Sequence, residues 1–175
     1  MSETKNGRVW KFGDNISTDL MYPSTVMHNK VPDDERKWAC MSANRPEFAR
    51  SVEPNDIIVA GRNFGCGSSR PASHLLKELQ IGCILADSFS AIFYRNCIGA
   101  GVPAIELPEI GEMFLDGDRG DVDLSSGIVK NLSSGEIRTF APFPNEIIEI
   151  LNVGGMIEFI RRDFELSGSK NSKGE

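Results

Sequence analysis

The chain has 175 residues, of which 40% are hydrophobic and 25% are charged, and this composition is ordinary for one globular domain with a sizeable core. Its net charge of -6 argues against a nucleic-acid partner, because nucleic acid selects a basic surface. No apolar run approaches twenty residues, and no charged segment leads into an apolar one at the amino end, so we predict a cytoplasmic protein with neither a membrane span nor a secretory signal.

The cysteines are widely spaced. Cys40, Cys66, Cys83 and Cys97 include no Cys-x-x-Cys pair and have no closely spaced histidine beside them. Metal and iron–sulfur sites usually draw their ligands from such short-spaced pairs. We therefore predict free thiols in a reducing compartment and no metal site made by this chain alone.

The amino-terminal third gives weak periodic signals. Residues 8–12 form a short strand-like run, and residues 33–50 are charged with spaced apolar positions, which predicts one or two short helices. Residues 16–30 show neither a helical nor a strand period. We predict a loop there, and loops often carry binding residues.

The middle of the chain alternates between strand-like and helix-like segments. The predicted elements are strand 56–60, helix 71–81, strand 83–86, helix 89–98 and strand 102–107. This alternation with short loops indicates an α/β fold whose central sheet is mainly parallel, with right-handed crossovers. Ligands of such sheets bind beyond the carboxyl ends of the strands.

The last third of the chain has a different residue pattern. Residues 117–140 contain short β-branched pieces separated by two Ser-Ser-Gly breaks, which predicts a peripheral antiparallel meander. A helix is predicted over 144–151, whereas the period does not decide between helix and strand for 156–164. We predict a single domain over residues 1–166 and a disordered tail over 167–175, which is rich in Ser, Gly and Lys.

Residues 61–71 place three glycines, two serines and an arginine between a predicted strand and a predicted helix. Glycines let backbone N–H groups approach a ligand, and a helix start adds partial positive charge, so this stretch predicts an anion site. The spacing matches neither the P-loop nor the dinucleotide fingerprint. Arg70 beside Ser68 and Ser69 suits a carboxylate, which a guanidinium grips with two parallel hydrogen bonds. The alternative is a tight strand-to-helix turn with solvated serines. For Arg62 and Asn63 we predict hydrogen bonds that stiffen the loop.

The run Asn-Phe-Gly-Cys-Gly-Ser-Ser-Arg over residues 63–70 resembles the signature of the swivelling domain of the aconitase superfamily. In particular, it resembles the small subunits of 3-isopropylmalate dehydratase and their two-subunit relatives. The resemblance continues through Ala-Asp-Ser-Phe-Ser-Ala-Ile-Phe-Tyr-Arg-Asn over residues 86–96 and through shorter matches at 117–118, 122–124 and 154–155. It covers nearly the whole chain.

This resemblance implies a three-layer swivelling β/β/α domain. In the family, the domain closes over a 4Fe-4S cluster that is carried elsewhere, on the same long chain or on a separate large subunit. The present chain is too short to include cluster domains. The resemblance therefore implies the small subunit of a two-chain hydro-lyase. Its partner would be a large cluster-bearing subunit, in a heterodimer or heterotetramer. The cluster of that partner would act as the Lewis acid that removes the substrate hydroxyl.

The resemblance also implies roles for individual residues. Ser68 corresponds to the family's catalytic base, and Ser69 and Arg70 correspond to the residues that hold a substrate carboxylate. A serine acts as a base only as an alkoxide held by N–H donors and a cation in a dry site, and Gly67 and Arg70 would supply these. Pro71 departs from the family pattern, since most small subunits have Glu at this position.

The segment after Thr18 and Asp19 matches the family's substrate-facing loop. In the family, the proline that corresponds to Pro23 is commonly followed by Ala-Arg-Tyr-Leu, but Ser24, Thr25, Val26 and Met27 follow it here. An apolar wall of Val26 and Met27, next to Thr25, favours an alkyl substituent over a further carboxylate, which would be buried without a paired charge. We therefore predict an alkyl-substituted malate, with 3-isopropylmalate first and a methylated malate such as 2,3-dimethylmalate close behind. Citrate and homocitrate are disfavoured, and a methylcitrate-like or homoaconitate-type substrate is kept as the alternative.

Two other classes of function stay open at this point. One is a stand-alone phosphate- or nucleotide-binding module built on the same glycine-rich loop. The other is a non-catalytic subunit that stabilises a larger assembly. A partner chain with cluster-type cysteines would favour the hydro-lyase over both.

Overall fold

The computed structural model describes residues 4–28, 31–67 and 70–171, without the side chains of residues 27–28 and 166–171. These residues form one seven-stranded sheet with helices packed on it. The strands are β1 (Thr4–Lys11), β2 (Ile57–Ala60), β3 (Cys83–Ala86), β4 (Ala104–Glu106), β5 (Arg119–Asp123), β6 (Ile128–Asn131) and β7 (Ile137–Thr139). The α-helices are α1 (Thr18–Met21), α2 (Ser24–His28), α3 (Phe48–Ser51), α4 (Ala72–Glu78), α5 (Ala91–Ala100), α6 (Ile110–Met113), α7 (Asn145–Val153) and α8 (Met156–Asn171), and a 3-10 helix spans Asp33–Ala39. Within the described ranges, no helix has both the length and the apolar character needed to cross a membrane.

The sheet has a parallel half and an antiparallel half that share β1. The strand order is β4-β3-β2-β1-β5-β6-β7. Strand β1 pairs in parallel with β2, where Val9 lies opposite Ile57, and antiparallel with β5, where Lys5 lies opposite Val122. The predicted parallel sheet and the predicted meander are therefore both confirmed, and they are joined edge to edge through β1.

Alternate residues of β2 enter two different cores, as the pleat of a strand requires. Ile58 belongs to a core that includes Leu76 of α4, so helices cover this face of the sheet. Ile57 belongs to a second core that includes Val122 and Val129 of the antiparallel half, so this half covers the other face. The predicted three-layer β/β/α arrangement is confirmed.

The predicted loop over residues 16–30 is wrong, because α1 and α2 lie within it. Helix α4 is shorter than predicted, since Pro71 is its N-cap and the helix ends at Glu78. The segment 156–164 that the period left undecided is part of α8. This helix continues beyond the predicted domain boundary at residue 166, and residues 172–175 of the predicted tail lie outside the described residues.

A buried carboxylate joins β1 to the turn that precedes β2. Asp56 is 3% exposed and accepts hydrogen bonds from the Arg8 backbone N–H at 2.9 Å, from Trp10 Nε1 at 2.8 Å and from the Glu53 backbone N–H at 3.0 Å. These contacts hold together the pair of strands from which the candidate site is built.

We expect Asp56→Ala to lower the free energy of unfolding by about 3 kcal/mol, because it leaves buried donors without an acceptor. Urea unfolding measures the loss. Asp34→Ala removes an exposed carboxylate from the 3-10 helix and is the matched control. Equal, small losses in the two variants would contradict a structural role for Asp56.

Candidate active site

The segment that follows β1 runs beside the glycine-rich loop that follows β2. The Asn15 backbone N–H donates to the Arg62 carbonyl at 2.8 Å, the Gly65 N–H donates to the Ile16 carbonyl at 2.8 Å, and the Thr18 N–H donates to the Cys66 carbonyl at 2.8 Å. The parallel pairing of β1 with β2 thus continues past the ends of both strands. It brings the start of α1 next to residue 67.

Side chains reinforce this pairing. The Asp14 carboxylate accepts hydrogen bonds from the Arg62 backbone N–H at 2.8 Å and from Arg62 Nη2 at 2.9 Å. The backbone N–H and then the guanidinium of Arg62 lower the pKa of Asp14, so the carboxylate is ionised at neutral pH. Asn63 Nδ2 donates to Asn15 Oδ1 at 2.9 Å. The loop-stiffening role predicted for Arg62 and Asn63 is confirmed.

The other side of the loop is held by the connection between β3 and α5. The Phe64 N–H donates to the Ser88 carbonyl at 3.0 Å, and the Asn63 N–H donates to Ser88 Oγ at 2.9 Å. Phe64 is fully buried, with its ring edge-on to Phe93 at a centroid distance of 5.6 Å. Sequence reasoning missed Ser88. Ser88 directly follows β3, and β3 pairs in parallel with β2, so the sequence could have indicated that Ser88 lies beside the loop that follows β2.

At two positions of the loop glycine is favoured, and the physical reason differs between them. Gly65 has a φ of +77°, and a Cβ there would lie 2.1 Å from Cγ of Phe93. Gly67 has a φ of +97°, but a Cβ there would meet only ordinary contacts at 3.6 Å, with Ser17 and Thr18. A side chain at position 65 is therefore disfavoured both by lack of space and by the backbone conformation. At position 67 it is disfavoured by the backbone conformation alone.

We expect Gly65→Ala and Gly67→Ala to separate stability from activity. Gly65→Ala should lower the free energy of unfolding by about 2–4 kcal/mol, because overpacking against Phe93 adds to the backbone strain. Gly67→Ala should cost only about 1–2 kcal/mol of strain. It should nevertheless lower turnover of the assembled enzyme, because the backbone change lies directly before Ser68. Thermal melts and turnover measure the two effects. Equal stability losses would contradict this division.

Arg70 lies at the end of the loop and contacts α1. Its Nε donates to Asp19 Oδ1 at 2.8 Å, and its Nη1 donates to the Tyr22 carbonyl at 2.7 Å. The Arg70 side chain is 20% exposed and that of Asp19 is 54% exposed. The guanidinium therefore already joins the loop to α1. A substrate carboxylate at Arg70 must share the guanidinium with Asp19 or displace it.

The site residues predicted in the glycine-rich loop fall into two groups. Gly67 and Arg70 lie together next to Thr18 and Asp19, as described above. Ser68 and Ser69 lie between them in the chain but outside the described residues, so their predicted roles stay predictions.

The predicted substrate wall needs a correction. Thr25 is exposed on α2, but Val26 is only 4% exposed and packs in the core on the helical side of the sheet. Helix α2 turns Val26 inward, so Val26 does not form an apolar surface toward a ligand. The side chain of Met27 lies outside the described part of the chain.

The described residues offer no donor set for a metal or an iron–sulfur cluster. They contain no group of three or more His, Cys, Asp or Glu side chains that could hold a metal ion. Cys40, Cys83 and Cys97 are buried, and burial raises the pKa of each thiol, that of Cys83 to about 12, so they stay protonated. Cys66, in the glycine-rich loop, is partly exposed.

Comparison with known proteins shows the family to which the chain belongs. The family model described as the aconitase C-terminal domain matches residues 12–110, which include β2 through β4 and the whole glycine-rich loop. The chain belongs to this family. The match covers three of the four strands of the parallel half of the sheet and the loop at which the candidate site lies.

Relatives within the family extend the match to most of the chain. A 3-isopropylmalate dehydratase small subunit from Methanosarcina mazei is 43% identical over 157 residues, which are 89% of this chain and 96% of the relative. An isopropylmalate/citramalate isomerase small subunit from Methanocaldococcus jannaschii is 42% identical over 89% of this chain and 93% of its own length. A solved structure of a 3-isopropylmalate dehydratase from the same organism superposes with a TM-score of 0.86 at 31% identity, covering 95% of this chain and 99% of the other.

Proposed function

We propose that this chain is the small subunit of a two-subunit hydro-lyase that dehydrates and isomerises an alkyl-substituted malate, and that 3-isopropylmalate is the preferred substrate. The observation that carries the proposal is similarity to small subunits of 3-isopropylmalate dehydratase along 89% of the chain. The glycine-rich loop supports it, because the loop lies at the carboxyl end of β2, where ligands of α/β sheets bind.

In the proposed reaction this chain removes a proton. Dehydration takes a proton from the carbon next to a carboxylate while a hydroxyl leaves the neighbouring carbon. Ser68 accepts this proton as an alkoxide, which backbone N–H donors of the loop and the Arg70 cation stabilise once the site is closed to water. The described residues offer no donor set for a cluster. A large subunit that carries a 4Fe-4S cluster would supply the Lewis acid that withdraws the hydroxyl.

Ser69 and Arg70 are proposed to hold a carboxylate of the substrate. Support comes from the position of Arg70, which the contacts with Asp19 and Tyr22 hold at the end of the loop. The ion pair with Asp19 also means that the guanidinium is oriented before substrate arrives. Preorganisation of this kind lowers the cost of binding, because less side-chain freedom is lost when the ligand arrives.

The preference for an alkyl malate now rests on the relatives. The argument from Val26 no longer supports it, because this side chain is buried in the core. The names of the relatives include isopropylmalate and citramalate as substrates, and both are malates with an alkyl substituent. Thr25 and Met27 stay proposed as substrate contacts in the assembled enzyme. The free thiols of the described cysteines support a cytoplasmic assembly.

The test is reconstitution. The chain is co-expressed with a cluster-bearing large subunit, and dehydration is measured anaerobically on 3-isopropylmalate, a methylated malate, citrate and homocitrate. We expect activity only from the pair, with the highest kcat/KM for 3-isopropylmalate. Turnover by the purified chain alone would contradict the proposal that both subunits are needed for activity. A preference for the tricarboxylates would contradict the proposed substrate.

A further inference from the structure

A cavity of about 330 Å³ lies at the amino ends of the parallel strands, and we call it the amino-edge cavity. Asn55, Gly82 and Pro103 line it, and they precede β2, β3 and β4 in the chain. The glycine-rich loop follows the other end of β2, so the length of this strand, about 13 Å, separates the cavity from the candidate active site. Pockets that bind small molecules have volumes of about 300–1,000 Å³, and this cavity is within that range.

Lys5 reaches the amino-edge cavity from a buried face of the sheet. It lies opposite Val122 in the pairing of β1 with β5, and opposite residues point to the same face. Val122 belongs to the second core, so the stem of Lys5 lies against that core. Burial raises the pKa of Cys83 to about 12, and the Lys5 ammonium offsets part of this rise, so its charge is close to β3.

The Lys5 ammonium has no ion pair or hydrogen bond with any residue that the structure describes. The side chain is only partly exposed, so water does not solvate it as fully as a surface lysine. A cation that is partly withdrawn from water is stabilised by an anion beside it. Lys5 is therefore a candidate ligand contact that the proposed reaction does not use.

The charge of the lining favours an anion. Lys77 of α4 is a second cation, and the described residues around the cavity include no Asp or Glu, although the whole chain carries a net charge of -6. Helices α4, α5 and α7 end here and each adds a partial negative charge of roughly half an elementary unit, which together stays below the two lysine charges. Lys77 Nζ already donates to the carbonyl of Gly154, at the end of α7.

The rest of the lining is mostly apolar. Side chains from the helical layer, from the loops before the strands and from the antiparallel half of the sheet meet at the cavity, and all of them are buried. They are Ile81, Val102, Leu124, Ile148 and Leu151. An alkyl group that enters the cavity is removed from water against these side chains, which favours binding in proportion to the area buried.

We propose that the amino-edge cavity binds a small aliphatic carboxylate, with the carboxylate group at Lys5 and the alkyl group against the apolar wall. An ammonium has three N–H donors, so Lys77 can contact the same carboxylate while it keeps the Gly154 carbonyl. Two sources have this chemistry. One is a simple monocarboxylate, and the other is an α-amino acid with an aliphatic side chain, whose own ammonium would face the carbonyl ends of the helices.

Titration calorimetry of the full chain with 4-methylpentanoate tests the site. We expect a dissociation constant of about 1 mM or lower. Binding should be at least about tenfold weaker for acetate, which lacks most of the alkyl group, and for 4-methylpentanamide, which lacks the charge. L-Leucine has the same carbon skeleton with an added ammonium, so the tighter of the two probes identifies the source. No binding of either probe at about 10 mM would overturn the proposal.

Variants of the lysines test where the carboxylate binds. Lys5→Gln keeps the length of the side chain and should raise the dissociation constant at least about tenfold, because a charge-assisted hydrogen bond is lost. Lys130→Gln changes an exposed lysine on β6 and is the matched control, for which no change is expected. Circular dichroism checks folding. If Lys5→Gln does not fold, Lys77→Gln decides, since it should also weaken binding. Binding that both lysine variants of the cavity leave unchanged would overturn the proposal.

Amide chemical shifts locate the bound probe, because Arg70 in the candidate active site also offers a cation to a carboxylate. We expect 4-methylpentanoate to shift the N–H signals of Gly82 and Gly101, which line the amino-edge cavity. Shifts at Gly65 and Gly67 without shifts at Gly82 and Gly101 would overturn the proposal. These measurements need neither a large subunit nor turnover, so failure of the proposed reaction would not affect them.

Discussion

Replacing Ser68 with alanine is expected to lower kcat of the assembled enzyme by about a hundredfold or more, because loss of a general base or of a group that stabilises a developing charge typically costs this much. Folding and assembly should be nearly unchanged, since the substitution removes one hydroxyl and no apolar side chain. The measurement is anaerobic turnover of 3-isopropylmalate by the reconstituted pair, together with the mass of the complex in solution.

Ser42→Ala is the control for this result, because Ser42 is an exposed serine in a turn outside the glycine-rich loop. It should keep wild-type turnover. A Ser68→Ala enzyme with near-normal kcat would remove Ser68 from the mechanism, even if the chain still assembles with its partner.

Substituting lysine for Arg70 is expected to raise KM by about tenfold to a hundredfold, with a smaller fall in kcat, because hydrogen bonds to charged groups contribute about 1.5–3 kcal/mol each. Lysine keeps the positive charge but offers a single ammonium group in place of the planar fork. It can therefore not contact Asp19, the Tyr22 carbonyl and a substrate carboxylate with the same geometry.

Two further variants define the cause of the Arg70 effect. Arg50→Lys changes an exposed arginine on α3 and should leave KM unchanged. Asp19→Asn keeps the size of the side chain but removes the charge that orients Arg70, so KM should rise here as well. If Arg70→Lys left KM unchanged, carboxylate recognition at this position would be excluded.

Local signals in the sequence were sufficient for the elements that build the parallel half of the sheet. The β-branched run that forms β2 is buried on both faces, and an uninterrupted apolar run predicts this directly. Helix α5 begins after Ser90, whose side chain accepts a hydrogen bond from the Phe93 N–H, and ends at Gly101 in a left-handed conformation. Caps of this kind act over a few residues, so the sequence alone determines them.

Short helices were not predictable from periodicity. Helix α1 has four residues and α2 has five, which is too few for an apolar period to be visible. Isolated helices of this length do not form in water, and tertiary contacts supply what propensity does not. The buried Met21 and the hydrogen bond from the Thr18 N–H to the Cys66 carbonyl are such contacts. Helix α2 determines which way the Val26 side chain points. Because residues 16–30 were predicted to be a loop, Val26 was wrongly predicted to face a ligand.

The sequence by itself determined the residue types of the site: glycines and an arginine in one loop after a strand, within a chain recognisable by its motifs. Only the tertiary structure decided what Arg70 contacts. Tyr22, whose carbonyl Arg70 binds, is 48 residues away in the chain, and the parallel register of β1 with β2 brings the two together. Register depends on how two faces of a sheet are buried at once, which is a property of the whole packed domain and not of any single stretch of sequence.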